Sequence, residues 1–190
     1  MKFTKLSLLV LLFLISYSYS QKLVSSSFVA TVGGGISLPM AESDFTDSYN
    51  MGLNFHVSGG YKLNNSFIVR ADAQYNRFTY KSSSGSNVSG GFTVITGKID
   101  LLAGNFNKKT KFHPYALAGT GSYFLSADVT DGIITISESE TDFGAGFGAG
   151  FIVDVSKKAG IYVESQYNFI FNDGTAKGYL PIKVGVFVTP

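Results

Sequence analysis

Residues 111–154, KFHPYALAGTGSYFLSADV followed by TDG and IITISESETDFGAGFGAGFIVD, decide the architecture. In the first arm Tyr115, Leu117, Gly119, Gly121, Tyr123, Leu125 and Val129 share one face. Ala116, Ala118, Thr120, Ser122, Ser126 and Asp128 share the other. In the second arm Phe143, Ala145, Phe147, Ala149, Phe151 and Val153 alternate with Asp142, Gly144, Gly146, Gly148 and Asp154. Period-two alternation marks a strand, because successive side chains of a pleated chain point to opposite faces. Thr130, Asp131 and Gly132 read as a three-residue hairpin loop, with Gly132 in the left-handed conformation. That loop sets Val129 opposite Ile133 and brings the apolar faces of both arms to one side. Each arm is about twice the ~9–11 residues that a tilted strand needs to cross a bilayer. The lower half is therefore read as spanning and the upper half, roughly residues 123–140, as standing in solvent.

Toward the N-terminus, Lys2 and Lys5 precede an apolar run over residues 6–15 and a small, polar end over 16–20. This is the layout of a secretory signal peptide, too short to cross a membrane as a helix. Ser18 and Ser20 suit cleavage before Gln21, which predicts a signal peptide over 1–20 and one domain over 21–190. Without Lys2 and Lys5 the formal net charge of +2 falls to zero, so a global nucleic-acid footprint is not supported. The chain has no cysteine, which removes any disulfide scaffold and any cysteine-linked lipid anchor. No later segment holds ~18 consecutive apolar residues, so no spanning helix is expected. The 22 glycines, 17 phenylalanines and 11 tyrosines suit a β-barrel with aromatic girdles.

The same alternation recurs along the chain. Strands are predicted over 27–38, from Met51 to Tyr61, from Phe67 to Asn76, over 92–105, in the two arms, from Val163 to Phe169 and from Leu180 to Val188. Between them, 41–50, 81–91 and 171–178 read as long polar loops, and 62–66, 107–111 and 156–160 as short turns. An even count of strands, with short turns and longer loops in alternation, predicts an all-β fold. Its form is an eight-stranded antiparallel up-and-down transmembrane β-barrel.

His113-Pro114-Tyr115-Ala116, FGAGFGAGFIVD, VESQYN and LPIKVGVFV follow one another in an order that resembles the small outer-membrane barrels of the OmpA and OmpX type. The resemblance covers nearly all of residues 21–190 and implies an outer-membrane location. The chain departs from that pattern in ending Phe187-Val188-Thr189-Pro190 rather than on an aromatic residue, and in having no tryptophan.

Charge separates the faces. A lipid-facing wall must avoid it, and the apolar faces, Tyr115 to Leu125 included, carry none at mid-strand. The opposite faces hold Arg70, Asp72, Lys98, Asp100, Glu164 and Lys183, all at similar height, which reads as a neutral interior ion-pair network. A lumen of eight strands is only wide enough to be filled by side chains, so a structural plug is favoured over a narrow porin-like channel. The third reading is a soluble lipocalin-like binding barrel with the charged face outward. Against it stand the Gly and Ala residues of 144–150, which would fill an enclosed core poorly.

Catalysis has little support, and the chain is read as a non-enzyme with no cofactor and no metal site. His56 and Ser58 lie on one inward face without an acid identifiable by spacing, and GAGFGAG sits inside a strand rather than a phosphate loop. The acidic long loops are read as a solvated rim. The candidate interaction element is the upper hairpin, with Asp128, Val129, Asp131, Gly132, Ile133, Ile134, Ile136, Glu138 and Glu140. Its exposed strand edges suit pairing with an extracellular protein, preferably a basic one. The expected surroundings are outer-membrane lipid, with no nucleic acid and a monomeric state.

Overall fold

The alternation in the sequence becomes eight strands that close on themselves in a computed structural model, which describes residues 28–40, 43–81, 88–107, 109–131, 134–172 and 175–189. The strands are β1 (Phe28–Met40), β2 (Gly52–Lys62), β3 (Phe67–Thr79), β4 (Val88–Gly104), β5 (Phe112–Asp131), β6 (Ile134–Asp154), β7 (Ala159–Asn172) and β8 (Thr175–Val188). Each pairs antiparallel with its neighbours in sequence, and β8 pairs with β1 to complete the barrel. Residues 1–20, expected from the sequence to be a signal peptide, lie outside the described residues. The connections from β2 to β3, β4 to β5 and β6 to β7 form the lower rim. The first is tightened by the Asn64 side-chain oxygen, which accepts from the backbone N–H of Ser66 at 2.7 Å and of Phe67 at 3.0 Å.

Most faces fall as the alternation predicts. Phe55, Val57, Tyr75, Ile95, Ile99, Phe147 and Val184 stand exposed on the outer wall, while Arg70, Asp72, Gln74, Thr96, Lys98, Glu164 and Lys183 are buried inside. Strand β5 is the exception. Val129 lies opposite Ile136 and Asp131 opposite Ile134, so the predicted pairing of Val129 with Ile133 is displaced by an odd number of residues. An odd displacement exchanges the two faces of one strand relative to the other. Tyr115, Leu117, Tyr123 and Leu125 therefore turn into the lumen, and Ala116, Ala118, Ser122 and Phe124 join the phenylalanines of β6 on the outer wall. The loop residues Gly132 and Ile133 lie outside the described residues.

Sterics explain why this register holds. The inner face of β6 is glycine at 144, 146, 148 and 150, facing Gly121, Gly119, Leu117 and Tyr115. A Cβ on Gly150 would stand 2.7 Å from the Tyr115 ring, and one on Gly144 would stand 2.5 Å from that of Tyr123. The glycines thus make the space that the tyrosines fill. The glycines of 144–150, read with the neighbouring alanines as unsuited to an enclosed core, are what let a narrow lumen close-pack, while Ala145 and Ala149 lie on the outer wall.

Three predicted loops are shorter than expected. Residues 171–172 and 175–178 are strand, with Phe171 opposite Ala176 and Asn172 opposite Thr175. Strand β4 begins at Val88, inside the predicted 81–91 loop. The 41–50 segment contains a helix, α1 (Ser43–Ser48), too short to show a period in sequence. It buries Phe45 between Phe78 and Phe92, at ring-centroid distances of 5.3 and 5.2 Å, and so covers the upper mouth. The lumen is layered as a result. An aromatic layer of Phe45, Phe78, Tyr123 and Tyr179 lies above, an apolar layer of Ile68, Leu102, Phe106 and Ile152 below, and the polar residues between.

The face assignment of β5 and β6 can be tested at one level of the barrel. Gly150→Val points into Tyr115 and should lower the unfolding free energy by about 1–3 kcal/mol through overpacking. Ala149→Val, next to it but on the outer wall, should change it by less than about 0.5 kcal/mol. Urea unfolding of refolded barrels reads both, and the reverse ranking would restore the face assignment expected from sequence.

Candidate functional site

The charged residues enter the lumen as cross-strand pairs of opposite sign. Register places Arg70 of β3 directly opposite Asp100 of β4, Asp72 opposite Lys98, and Glu164 of β7 opposite Lys183 of β8. Strands β3–β4 and β7–β8 lie four apart in a ring of eight, so these pairs face one another across the lumen. All six side chains meet. Arg70 Nη2 donates to Glu164 Oε1 at 2.6 Å and to Asp100 Oδ2 at 3.1 Å, and lies 3.5 Å from Asp72. Lys183 Nζ is 2.7 Å from Glu164 and 3.8 Å from Asp72, and Lys98 is 3.8 Å from Asp100.

Neutral groups complete the network. Tyr115 donates to Glu164 Oε2 at 2.8 Å, Gln166 donates to Asp100 at 3.1 Å, and Lys98 donates to Asn168 at 3.2 Å and to Gln166. With its amide oxygen toward the ammonium groups, Gln74 accepts from Lys98 at 3.0 Å and Lys183 at 3.2 Å. Three cations and three anions, none more than 3% exposed, balance inside a space with no room for counter-ions. Charge-assisted hydrogen bonds of this kind are short and directional, so they hold the strands at one relative height.

Next to this network, His56 contacts the Tyr162 hydroxyl through Nε2 and faces Asp72 across 3.7 Å through Nδ1. Ser58 is bonded to Thr31 at 2.6 Å rather than to His56, so the two do not form a nucleophile and base. Among the described residues, Asn54 Oδ1 and His56 Nδ1 lack a hydrogen-bond partner. His113 sits at the lower rim, as its place before a proline suggests, and binds Asp154 at 3.0 Å and the Asn105 carbonyl at 2.7 Å. Among the described residues no group of three or more His, Asp or Glu is placed to ligate a metal ion.

Of the candidate hairpin residues, the described side chains Asp128, Glu138 and Glu140 do not form one cluster. Asp128 lies on the outer wall, where Arg77 Nη1 and Nη2 donate to its two oxygens at 2.6 and 3.0 Å. The Arg77 hydrogen bonds hold its carboxyl below the usual carboxylate value. This ion pair marks the upper limit of the apolar wall. Glu140 binds Lys177 at 2.9 Å, and Glu138 is exposed. Val129, Asp131, Ile134 and Ile136 are placed by backbone register alone, as Val129↔Ile136 and Asp131↔Ile134.

The strand edges of this hairpin also differ from expectation. Strand β4 pairs with β5 as far as Val88↔Asp131 and covers that side. Only on the β6 side does the ladder stop early, at Phe143↔Phe171. Sequence reading missed Tyr115, which carried the wrong face through the hairpin register. It also missed Arg77, a lone charge on an otherwise apolar face, which was a legible signal for the membrane boundary.

A closed barrel of this size, apolar outside and charged within, is a transmembrane β-barrel, because in hydrocarbon every backbone group must be paired internally. Residues 6–187 match the outer membrane protein beta-barrel domain, and the chain belongs to that family. Comparison with curated proteins by sequence finds no match. Among solved structures the chain is similar to Neisserial surface protein A, at 18% identity and a TM-score of 0.64, over 88% of this chain and 100% of that one. It is also similar to Ail, the attachment invasion locus protein of Yersinia pestis, solved with the heparin analogue sucrose octasulfate. There the identity is 17% and the TM-score 0.58, over 86% and 99% of the two chains. A major outer membrane protein of Thermus thermophilus matches at 11% identity and a TM-score of 0.58, over 86% and 99%. At these identities the likeness is one of fold.

Glu164 bonds Arg70, Lys183 and Tyr115, so its removal tests the network. Glu164→Leu should lower barrel stability by about 3–5 kcal/mol, because it leaves buried positive charge unbalanced. Adding Lys183→Met should recover a substantial part by restoring neutrality. Loss of the heat-resistant gel band on a temperature ramp measures both. Equal transitions for the single and double variants would show that charge balance does not hold the lumen together.

Proposed function

We propose that the protein is a closed outer-membrane scaffold whose β4–β5–β6 extension meets an extracellular protein. The observation that carries this reading is the uneven ladder on β6. Its pairing with β5 runs up to Asp131↔Ile134, whereas its pairing with β7 begins only at Phe143↔Phe171. Between residues 134 and 139 the β6 edge has no neighbouring strand among the described residues, and such an edge is a template for an incoming one. Ser137, Glu138 and Ser139 are exposed there, and Asp47 of α1 lies on the same rim. A sulfated polyanion of the kind bound to Ail would be repelled by these carboxylates. A basic protein surface suits them.

The layered lumen supports a scaffold over a pore. A solute would have to displace Phe45 and its aromatic neighbours, then a network of six buried charges, then a second apolar layer. Recordings of the refolded protein in planar bilayers should show no stable conductance steps. Reproducible, salt-dependent steps would replace this reading with that of a narrow channel.

The extension is tested by exchanging residues 129–136 for an Asn-Gly turn between Asp128 and Ser137, which already face each other in register. The barrel should keep its heat-resistant band shift, since no membrane-embedded pairing is removed. Adhesion of whole cells to a protein-coated surface should fall to that of cells lacking the protein. A folded, surface-displayed variant that adheres like the original would rule the extension out as the contact.

A further inference from the structure

The two rims treat their cations differently. At the upper rim each described cation near the mouth is engaged within the chain: Arg77 on Asp128, Lys177 on Glu140, and Lys81 on the Thr46 carbonyl at 2.6 Å. At the lower rim Lys62 is held on the Phe106 carbonyl at 2.6 Å, whereas Lys109, Lys111, Lys157 and Lys158 are exposed, and none of these four ammonium groups makes a hydrogen bond or ion pair among the described residues. Asp154 is the one acid described at this end, and it faces His113 at 3.0 Å. Among the described residues the lower rim therefore carries uncompensated positive charge on two separate connections, rather than the mixed charge of an ordinary solvated surface.

A second observation fixes where that charge sits. Immediately above these turns the outer wall presents Tyr61, Phe67, Phe112 and Phe151, all exposed. Aromatic side chains on the outside of a barrel settle at the boundary between hydrocarbon and headgroups. With that collar at the boundary, the four ammonium groups stand one turn further out, at the height of lipid phosphates. Lysine alone would make a polar turn. Lysine held at headgroup height next to an aromatic belt makes a surface for anionic lipid.

We propose that the lower rim binds anionic phospholipid headgroups, with their phosphodiester oxygens against Lys109, Lys111, Lys157 and Lys158. The chemistry is that of a point-charge ammonium on a phosphate, without the planar fork that arginine would supply. It is therefore selective for charge rather than for one headgroup. This inference is independent of what the β4–β5–β6 extension contacts and rests only on the barrel spanning a bilayer.

The test uses the purified protein in nanodiscs of phosphatidylcholine, with spin-labelled phosphatidylglycerol or spin-labelled phosphatidylcholine as the probe. In a symmetric bilayer both rims meet the same lipid, so the upper rim is an internal control. At low salt the protein should immobilise phosphatidylglycerol at least about threefold more strongly than phosphatidylcholine. The preference should collapse in molar salt, where the screening length shrinks to roughly 3 Å. It should vanish in the variant Lys109→Gln, Lys111→Gln, Lys157→Gln and Lys158→Gln, and persist in Lys81→Gln. Equal immobilisation of both probes by the unmodified protein overturns the proposal, as does an undiminished preference in the quadruple variant. Erasure by millimolar inorganic phosphate at constant ionic strength would assign the surface to soluble anions instead and overturn the lipid assignment. Heat-resistant band shift is read in parallel. A protein that fails to insert at all speaks against the spanning reading, and the salt dependence of the unmodified protein still decides the proposal if only the variant fails.

Discussion

A peptide group left without a partner in hydrocarbon costs several kcal/mol, and the rest of this molecule follows from avoiding that cost. The only way for strands to comply is to close, so β8 must return to β1. Closure at eight strands then leaves a lumen just wide enough for side chains. Within it, residues four strands apart touch. Arg70 and Glu164, 94 positions apart in sequence, come within 2.6 Å because β3 and β7 face each other across the ring.

That geometry decides what the lumen can contain. Its volume must be filled with few voids, and β5 and β6 share the work unequally, with tyrosine on one and glycine on the other. Its charge must sum to zero, because no counter-ion fits. The network achieves this by pairing opposite charges first along the ladder and then across the lumen. Apolar layers above and below keep water from competing for the same hydrogen bonds, which are stronger for being dry. In the proposed scaffold reading, stability and a closed lumen thus have one origin, and a route for solutes would have to sacrifice both.

The proposed contacts fall to the parts outside the hydrocarbon. The upper end extends strands beyond the closed ring, and there the constraint of full pairing no longer holds because water can satisfy a free edge. The lower end has only short turns, and its chemistry is carried by lysine ammonium groups beyond an aromatic collar. Between them, the wall is an apolar band from which charge is excluded until Arg77 and Asp128 meet at its upper limit.

Sequence alone determined the class of fold, the number of strands and the identity of all six interior charges. These depend on alternation within a single strand, which each segment carries in its own residues. It determined the inner face wherever a charge marked it, as in β3, β4, β7 and β8. It did not determine the inner face of β5, where tyrosine and leucine on one side oppose alanine and serine on the other and neither side is charged within the span. Only the pairing register with β6 decides that, and the register depends on Tyr115 finding Gly150 opposite and on the Tyr123 ring finding room over Gly144. The helix of Phe45 was illegible for the same kind of reason: six residues have no period, and their place over the mouth is set by aromatic rings that neighbouring strands bring together. Which charges meet which was likewise a matter of tertiary structure, because the partner of Arg70 across the lumen is fixed by how many strands close the ring.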